Sequence, residues 1–197
     1  MTASDTAGTS GPGFRPVGER TVHRWAVWSL VEGTFAAPDG ETFTRTFVRS
    51  PGAVGVVPVV FDAEGEPSVV LVRQYRPPLD RLFDEIPAGM RDIAGEPPEE
   101  TAGRELIEEV GLRAGRLELL ARFHNACGLT DAETHVYLAT DLVPTEHDRQ
   151  GPEERAMTVR HVPLAEAIDA VLRGEITDAK TVTGLLLTER LLAQETR

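Results

Sequence analysis

The chain has 197 residues, 41% of them hydrophobic, enough to bury a core and to exclude wholesale disorder. Thirty-two Asp and Glu against twenty Lys and Arg give a net charge of −12, which repels phosphate backbones and anionic lipid, so neither nucleic-acid nor membrane-surface binding is expected. Cys127 is the only cysteine, which excludes an internal disulfide and a cysteine zinc site.

In chain order, residues 1–18 are small, polar and rich in Gly and Pro, with no period that could bury a face, and are expected to be a flexible tail. They hold no apolar stretch behind basic residues, so no signal peptide is expected and the expected location is cytoplasmic. Residues 19–50 form an N-terminal region in which VHRWAVWSLVEGTF and ETFTRTFV flank the turn Pro38-Asp39-Gly40, a β-hairpin pattern. A lone hairpin is marginal in water, and Trp25, Trp28, Phe35, Phe43 and Phe47 need a partner. The partner is either the rest of the subunit or a second copy, and a homodimer through this region is the expectation carried forward.

Residues 51–197 read as the main domain. Ala53 to Phe61 (AVGVVPVVF) and SVVLVRQY, joined by Ala63-Glu64-Gly65-Glu66, give a buried hairpin. PPLDRLFDEIPAG is loop-like and ends in a short strand. LELLARFHN, THVYLATDL and MTVRHVPL supply three more strands. Two helices close the chain, Leu164 to Leu172 behind Pro163 and Asp178 to Leu192 capped by Asp178. With no βαβα alternation, the predicted class is α+β, a mixed β-sheet packed between helices with a small N-terminal antiparallel sheet.

The chemistry concentrates between Gly89 and Leu112, GMRDIAGEPPEETAGRELIEEVGL. Pro97 and Pro98 suit a first helical turn, Ala102, Leu106 and Val110 make a buried stripe, and Gly111 suits a left-handed stop. Glu105, Glu108 and Glu109 stand at i, i+3 and i+4 on neighbouring positions. From Arg91 to Val110 seven acidic residues face two arginines. Such a cluster is either a solvated face or a site for a hard cation with oxygen ligands, and the helix alone leaves both open. The five histidines include no i, i+4 pair, so no histidine metal site is expected.

Gly89, Glu96 and Arg104-Glu105-Leu106-Ile107-Glu108-Glu109-Val110-Gly111-Leu112 resemble the signature of the Nudix hydrolases, G-x5-E-x7-R-E-U-x-E-E-x-G-U with U a bulky aliphatic. Every specified residue from Glu96 onward matches; six residues rather than five separate Gly89 from Glu96. LVRQYRPPLDRLFDEIPAG, the aromatic N-terminal region, the GLTD loop and LRGEITDAKTVTGLLL are similar to the ADP-ribose pyrophosphatases of that superfamily, so the resemblance spans most of residues 22–192.

The resemblance implies Mg²⁺- or Mn²⁺-dependent hydrolysis of a nucleoside diphosphate linked to a second moiety. Glu105 and Glu109 would be the principal metal ligands, with Glu108 and the Ala88 carbonyl completing the set; Arg104 would orient carboxylates, and Glu96 has a functional or a structural role. The general base would lie on the loop Thr145 to Ala156, where Glu154 matches best and Glu153 next, Ala156 having lost an acid found in relatives. Arg76 would grip substrate phosphate, or else pair with Asp80 or Asp84. Trp25 or Trp28 would stack on a base across a dimer, or serve packing. Asp131, with Glu133, would face the substrate, or Asp131 would shape a turn. Members that cleave ADP-ribose typically carry a proline fifteen residues after the signature, and here that residue is Cys127, which nothing marks as an activated nucleophile. The expected substrate is ADP-ribose or a similar sugar, giving AMP and ribose 5-phosphate, with GDP-mannose, a dinucleotide or a non-catalytic sensor as alternatives.

Overall fold

The computed structural model describes residues 13–146 and 155–195, which fall into two compact units. The smaller comprises residues 13–50 together with Ala126–Ala132, and the larger runs from Pro51 to Asn125 and onward from Glu133.

The smaller unit is a three-stranded antiparallel sheet in the order β1 (Arg15–Trp25), β2 (Trp28–Ala36), β3 (Thr42–Arg49). Two expectations need correction. The stretch read as tail becomes strand at Arg15, because its backbone pairs with β2 from Arg15↔Ala36 onward. The run read as one strand from Val22 folds back at Ala26 and Val27, so the region holds three strands rather than one hairpin. Ala26 takes the bend with φ of 43°, a conformation no turn-forming residue announces. The Trp25↔Trp28 pair closes that bend with rings 6.1 Å apart. The other turn forms at Pro38-Asp39-Gly40 as expected, where Asp39 Oδ1 accepts the Glu41 amide at 3.0 Å. Phe35 stacks on Phe43 at 5.7 Å and meets Phe47 at 6.4 Å. The Ala126–Ala132 segment joins this sheet because the Val48 N–H donates to the Leu129 carbonyl at 2.8 Å.

In the larger unit a seven-stranded mixed sheet has the path β12 (Thr158–Pro163), β5 (Pro67–Arg76), β4 (Ala53–Phe61), β10 (Glu133–Thr140), β9 (Arg116–His124), with β6 (Arg81–Glu85) on β5 and β7 (Ala88–Met90) on β4. Only β10 and β4 run parallel among these pairs. A small pair joins β8 (Leu112–Arg113) to β11 (Val143–Pro144). Helix α1 (Pro98–Val110) covers one face; α2 (Leu164–Leu172) and α3 (Ala179–Glu195) cover the other. The two coverings explain why β4 and β5 are continuously apolar: Val54, Val56, Val70 and Val72 pack with Ala102 and Leu106, whereas Val57, Val59, Val69 and Leu71 pack with Ala167 and Leu185. This is the predicted α+β class with a mixed sheet between helices. Among the described residues, no helix is long and apolar enough to cross a membrane.

Candidate active site

The site begins where β4 changes partners. Its end pairs with β5 (Val59↔Val69), but its start pairs with β7, Val54 opposite Gly89 and Gly55 opposite Ala88. β6 meanwhile pairs with β5, Val72 opposite Glu85. The chain therefore crosses from β5 to β4 between Glu85 and Ala88, and the sheet splays there. That crossing sets a buried carboxylate beside one strand and the Ala88-Gly89 backbone beside the other.

Helix α1 starts at Pro98, gains Glu99 and Glu100 near its positive end, and stops at Gly111, whose φ of 64° ends the turn as its N–H bonds the Ile107 carbonyl at 3.0 Å. The expected stripe of Ala102, Leu106 and Val110 is buried. So are two of the acids. Glu105 is 8% exposed and Glu109 4%, which removes the solvated-face reading for both. The Ala88 N–H donates to Glu109 Oε2 at 2.9 Å. A Cβ at Gly89 would sit 2.0 Å from Glu105 Cδ, so only glycine leaves that carboxylate its place.

Arg104 gathers the other acids. Its guanidinium donates to Glu105 Oε1 at 2.8 Å, to Glu108 at 3.1 and 3.3 Å, and to both Glu96 oxygens at 3.4 Å, with Asp92 at 3.8 Å. Thr101 Oγ1 adds a bond to Glu96 at 2.8 Å. Burial lowers the Arg104 pKa, but the bond to Glu96 and the charges of Glu105 and Glu108 raise it further, so the net shift is upward. Glu96 is correspondingly held below the ordinary carboxylate range, first by Arg104 and then by Thr101. Arg104 thus holds the acids, and Glu96 holds Arg104.

A divalent cation is the group such a donor set suits. The donors are all oxygen, and the glycine at 89 lets the Glu105 carboxylate lie against the β7 backbone. Among the described residues no three His, Cys, Asp or Glu side chains form a ready-made cage. Mg²⁺ needs none, because it keeps several waters and binds through one or two carboxylates plus substrate phosphate.

Across the splay, Arg76 at the end of β5 pairs with Glu85 rather than with Asp80 or Asp84. Its Nε and one terminal nitrogen donate to the two Glu85 oxygens, both at 2.7 Å. Asp80 is taken by the Tyr75 hydroxyl at 2.7 Å, and Asp84 by Arg73 at 3.0 Å and Arg160 at 2.7 Å. Lys180 also donates to Glu85, and to Asp178 at 2.9 Å. Burial pushes the Glu85 carboxyl up, but Arg76 and Lys180 outweigh it and hold the pKa below the ordinary range. Sequence reasoning missed Glu85 and Lys180; it read Asp178 only as a helix cap, which it also is, accepting the Thr181 N–H at 3.0 Å and hydroxyl at 2.6 Å.

A cleft of about 420 Å³ is lined by Arg76, Ala88, Gly89, Asn125, Asp178 and Lys180 among others, so it joins the Ala88-Gly89 corner to this second network. A larger cleft of about 770 Å³, beside the β4–β5 turn and helices α2 and α3, has only carboxylates for charged walls: Asp62, Glu66, Asp169 and Glu189.

Trp25, Trp28 and Asp131 belong to the smaller unit. Asp131 accepts from Arg49 at 2.9 Å and from the Ser50 amide at 3.0 Å, fastening its loop to the end of β3. Glu133 bonds His135 at 3.0 Å. Glu153 and Glu154 fall outside the described residues.

A helix bearing R-E-x-x-E-E over a splayed mixed sheet, between helices, defines a Nudix hydrolase, and the family model of the NUDIX domain matches residues 49–185. This chain belongs to that family and is a pyrophosphohydrolase of it. It is 39% identical over 173 residues to an ADP-ribose pyrophosphatase of Mycobacterium tuberculosis, covering 88% of this chain and 82% of that one. It is also 39% identical over 161 residues to an ADP-ribose pyrophosphatase of Bacillus subtilis, covering 80% and 84%. The crystal structure of an ADP compounds hydrolase superposes with a TM-score of 0.80 at 25% identity, covering 93% of this chain and 96% of that one.

Proposed function

We propose that this enzyme hydrolyses the diphosphate bond of ADP-ribose or a close nucleoside diphosphate sugar, giving AMP and ribose 5-phosphate, with Mg²⁺ or Mn²⁺. The observation that carries this reading is the burial of Glu105 and Glu109 against the Ala88-Gly89 corner, on a cleft that Arg76 and Lys180 also line. Its support in substrate comes from the two relatives, each named an ADP-ribose pyrophosphatase.

Glu105 and Glu109 would hold the cation, with Glu108 and the Ala88 carbonyl completing its shell. When bound, it neutralises the diphosphate and acidifies a coordinated water. Arg104 holds Glu105 and Glu108 in place. Arg76 spends two nitrogens on Glu85 and turns its remaining edge, on a side chain 40% exposed, toward the cleft, where it grips phosphate. Water adds to one phosphorus, the bond from that phosphorus to the bridging oxygen breaks, and the leaving phosphate departs with that oxygen. Glu154, with Glu153 as the next candidate, takes the proton of the attacking water.

The enzyme acts in the cytoplasm as a homodimer through residues 19–50, which supports placing Trp25 or Trp28 on the base and Asp131 near the substrate. In favour of this interface, β1 is exposed along its whole length with Val17, Val22 and Trp25 open to solvent. Cys127 favours a second reading, in which the same chemistry serves another nucleoside diphosphate derivative, because the residue typical of ADP-ribose cleavage is replaced there. A panel of ADP-ribose, GDP-mannose and dinucleotides, with products separated by chromatography, decides between them. AMP released fastest from ADP-ribose is expected; faster cleavage of another compound selects the second reading, and no cleavage of any overturns both.

A further inference from the structure

We propose that Lys180 is a second substrate-binding cation, donating to a non-bridging oxygen of the diphosphate beside Arg76. The proposal rests on the diphosphate-cleaving function above and names a contact within that site.

Lys180 stands in the first turn of α3, and that turn is fixed from two sides. The Ile86 N–H donates to Thr181 Oγ1 at 3.0 Å, while Thr181 itself bonds the Asp178 cap. The side chain of Lys180 is only 13% exposed. Its stem passes Gly55 of β4, where an added Cβ would meet Lys180 Cδ at 3.7 Å and Ile86 Cδ1 at 2.8 Å. The ammonium ends at the splay between β5 and β4, in the wall of the 420 Å³ cleft.

Stability alone gives little reason for a charge there. Buried ion pairs are often no better than apolar residues of the same volume, and Arg76 already meets both Glu85 oxygens. An ammonium has three donors, and Glu85 and Asp178 take two. The third serves the cleft, as does the remaining edge of Arg76. Arg76 also feels the charge of Glu109, which raises its pKa, so the arginine stands within electrostatic reach of that acid.

The position matches a molecule with two halves. A neighbouring cleft of about 350 Å³ shares Arg76, Asp178 and Ala179 with the first. The network thus marks the junction of two cavities, where the diphosphate linking a nucleoside to a sugar would lie. Glu85 and Asp178 offset the two cations when the cleft is empty, and the spare donors accept the anion without stranding a charge.

The test compares wild type with Lys180→Met and Lys180→Arg, and repeats Lys180→Met in the Glu85→Gln background, where position 85 carries no charge to strand and Asp178 keeps its bonds from Thr181. The readouts are KM and kcat for ADP-ribose, the dissociation constant of inorganic pyrophosphate by calorimetry, and thermal melts. Lys180→Met is expected to raise KM and the pyrophosphate constant about tenfold to a hundredfold, the scale of one charge-assisted hydrogen bond, with a smaller change in kcat. Lys180→Arg recovers most of the loss. Folded Lys180→Met with wild-type KM and wild-type pyrophosphate binding, in either background, overturns the proposal. If the wild type cleaves no diphosphate compound, the functional reading fails instead, and pyrophosphate binding still reports on Lys180 by the same criterion.

Discussion

Two charged networks adjoin the crossing from Glu85 to Gly89, and they are built on opposite principles. On α1 a single arginine, Arg104, meets four carboxylates, those of Asp92, Glu96, Glu105 and Glu108, so negative charge is in surplus. At the start of α3 two cations, Arg76 and Lys180, meet two carboxylates, Glu85 and Asp178, so charge is balanced and only hydrogen-bond donors are in surplus. The first arrangement attracts a cation, and the second receives an anion without repelling its own parts. A metal diphosphate complex presents both signs, and the splay between β5 and β4 sets the two networks on either side of it.

The comparison breaks most visibly on the α1 side. Glu109→Gln or Glu105→Gln should lower kcat for ADP-ribose by on the order of 10²–10³ or more with melting temperature nearly kept, as steady-state kinetics and calorimetry would read. On the other side the large effect should be on stability. Glu85→Ala leaves Arg76 without its carboxylate and Lys180 with Asp178 alone, and should cost about 3 kcal/mol in urea unfolding, since Glu85 is only 1% exposed. Gly89→Ala should fall between, costing about 1–3 kcal/mol by overpacking while displacing Glu105 and weakening the Mg²⁺ dependence of turnover.

Acidity sharpens the contrast further. The Glu85 pKa is depressed in the folded protein, so its contribution is fully present above the ordinary glutamate value of roughly 4.3 and is lost as pH falls through the depressed one. Glu85→Gln should therefore flatten the acid side of a stability-versus-pH curve below about pH 4, and an unchanged curve would disprove the assignment. The smallest effect is expected at Arg104. Arg104→Met should cost about 1 kcal/mol, and added Mg²⁺ should raise its melting temperature more than that of wild type, because the acids then lose the guanidinium that gathers them.

How much of this was legible in the sequence follows from the range of each interaction. Helix α1 was legible throughout, because Pro98, the stripe Ala102, Leu106 and Val110, and Gly111 act within a few residues of one another. The burial of Glu105 and Glu109 was not, since it depends on β7 passing over the helix at Gly89. Glu85 and Lys180 stand 95 residues apart and carry no periodicity, so nothing local announces their bond. Arg76 was noticed, yet its partner was sought at Asp80 or Asp84, whereas β6 turns Glu85 toward it. The bend at Ala26 was invisible for a simpler reason: alanine at positive φ is rare, and the β1–β2 pairing that closes on Trp25 and Trp28 accompanies it.

The most direct test follows AMP release from ADP-ribose by wild type and Glu109→Gln, each with Mg²⁺ and with EDTA. The account predicts rapid release by wild type in Mg²⁺ alone, with both EDTA samples and the variant close to background. Release that survives EDTA, or a variant as fast as wild type, would contradict the assignment of the α1 carboxylates to a metal-assisted hydrolysis.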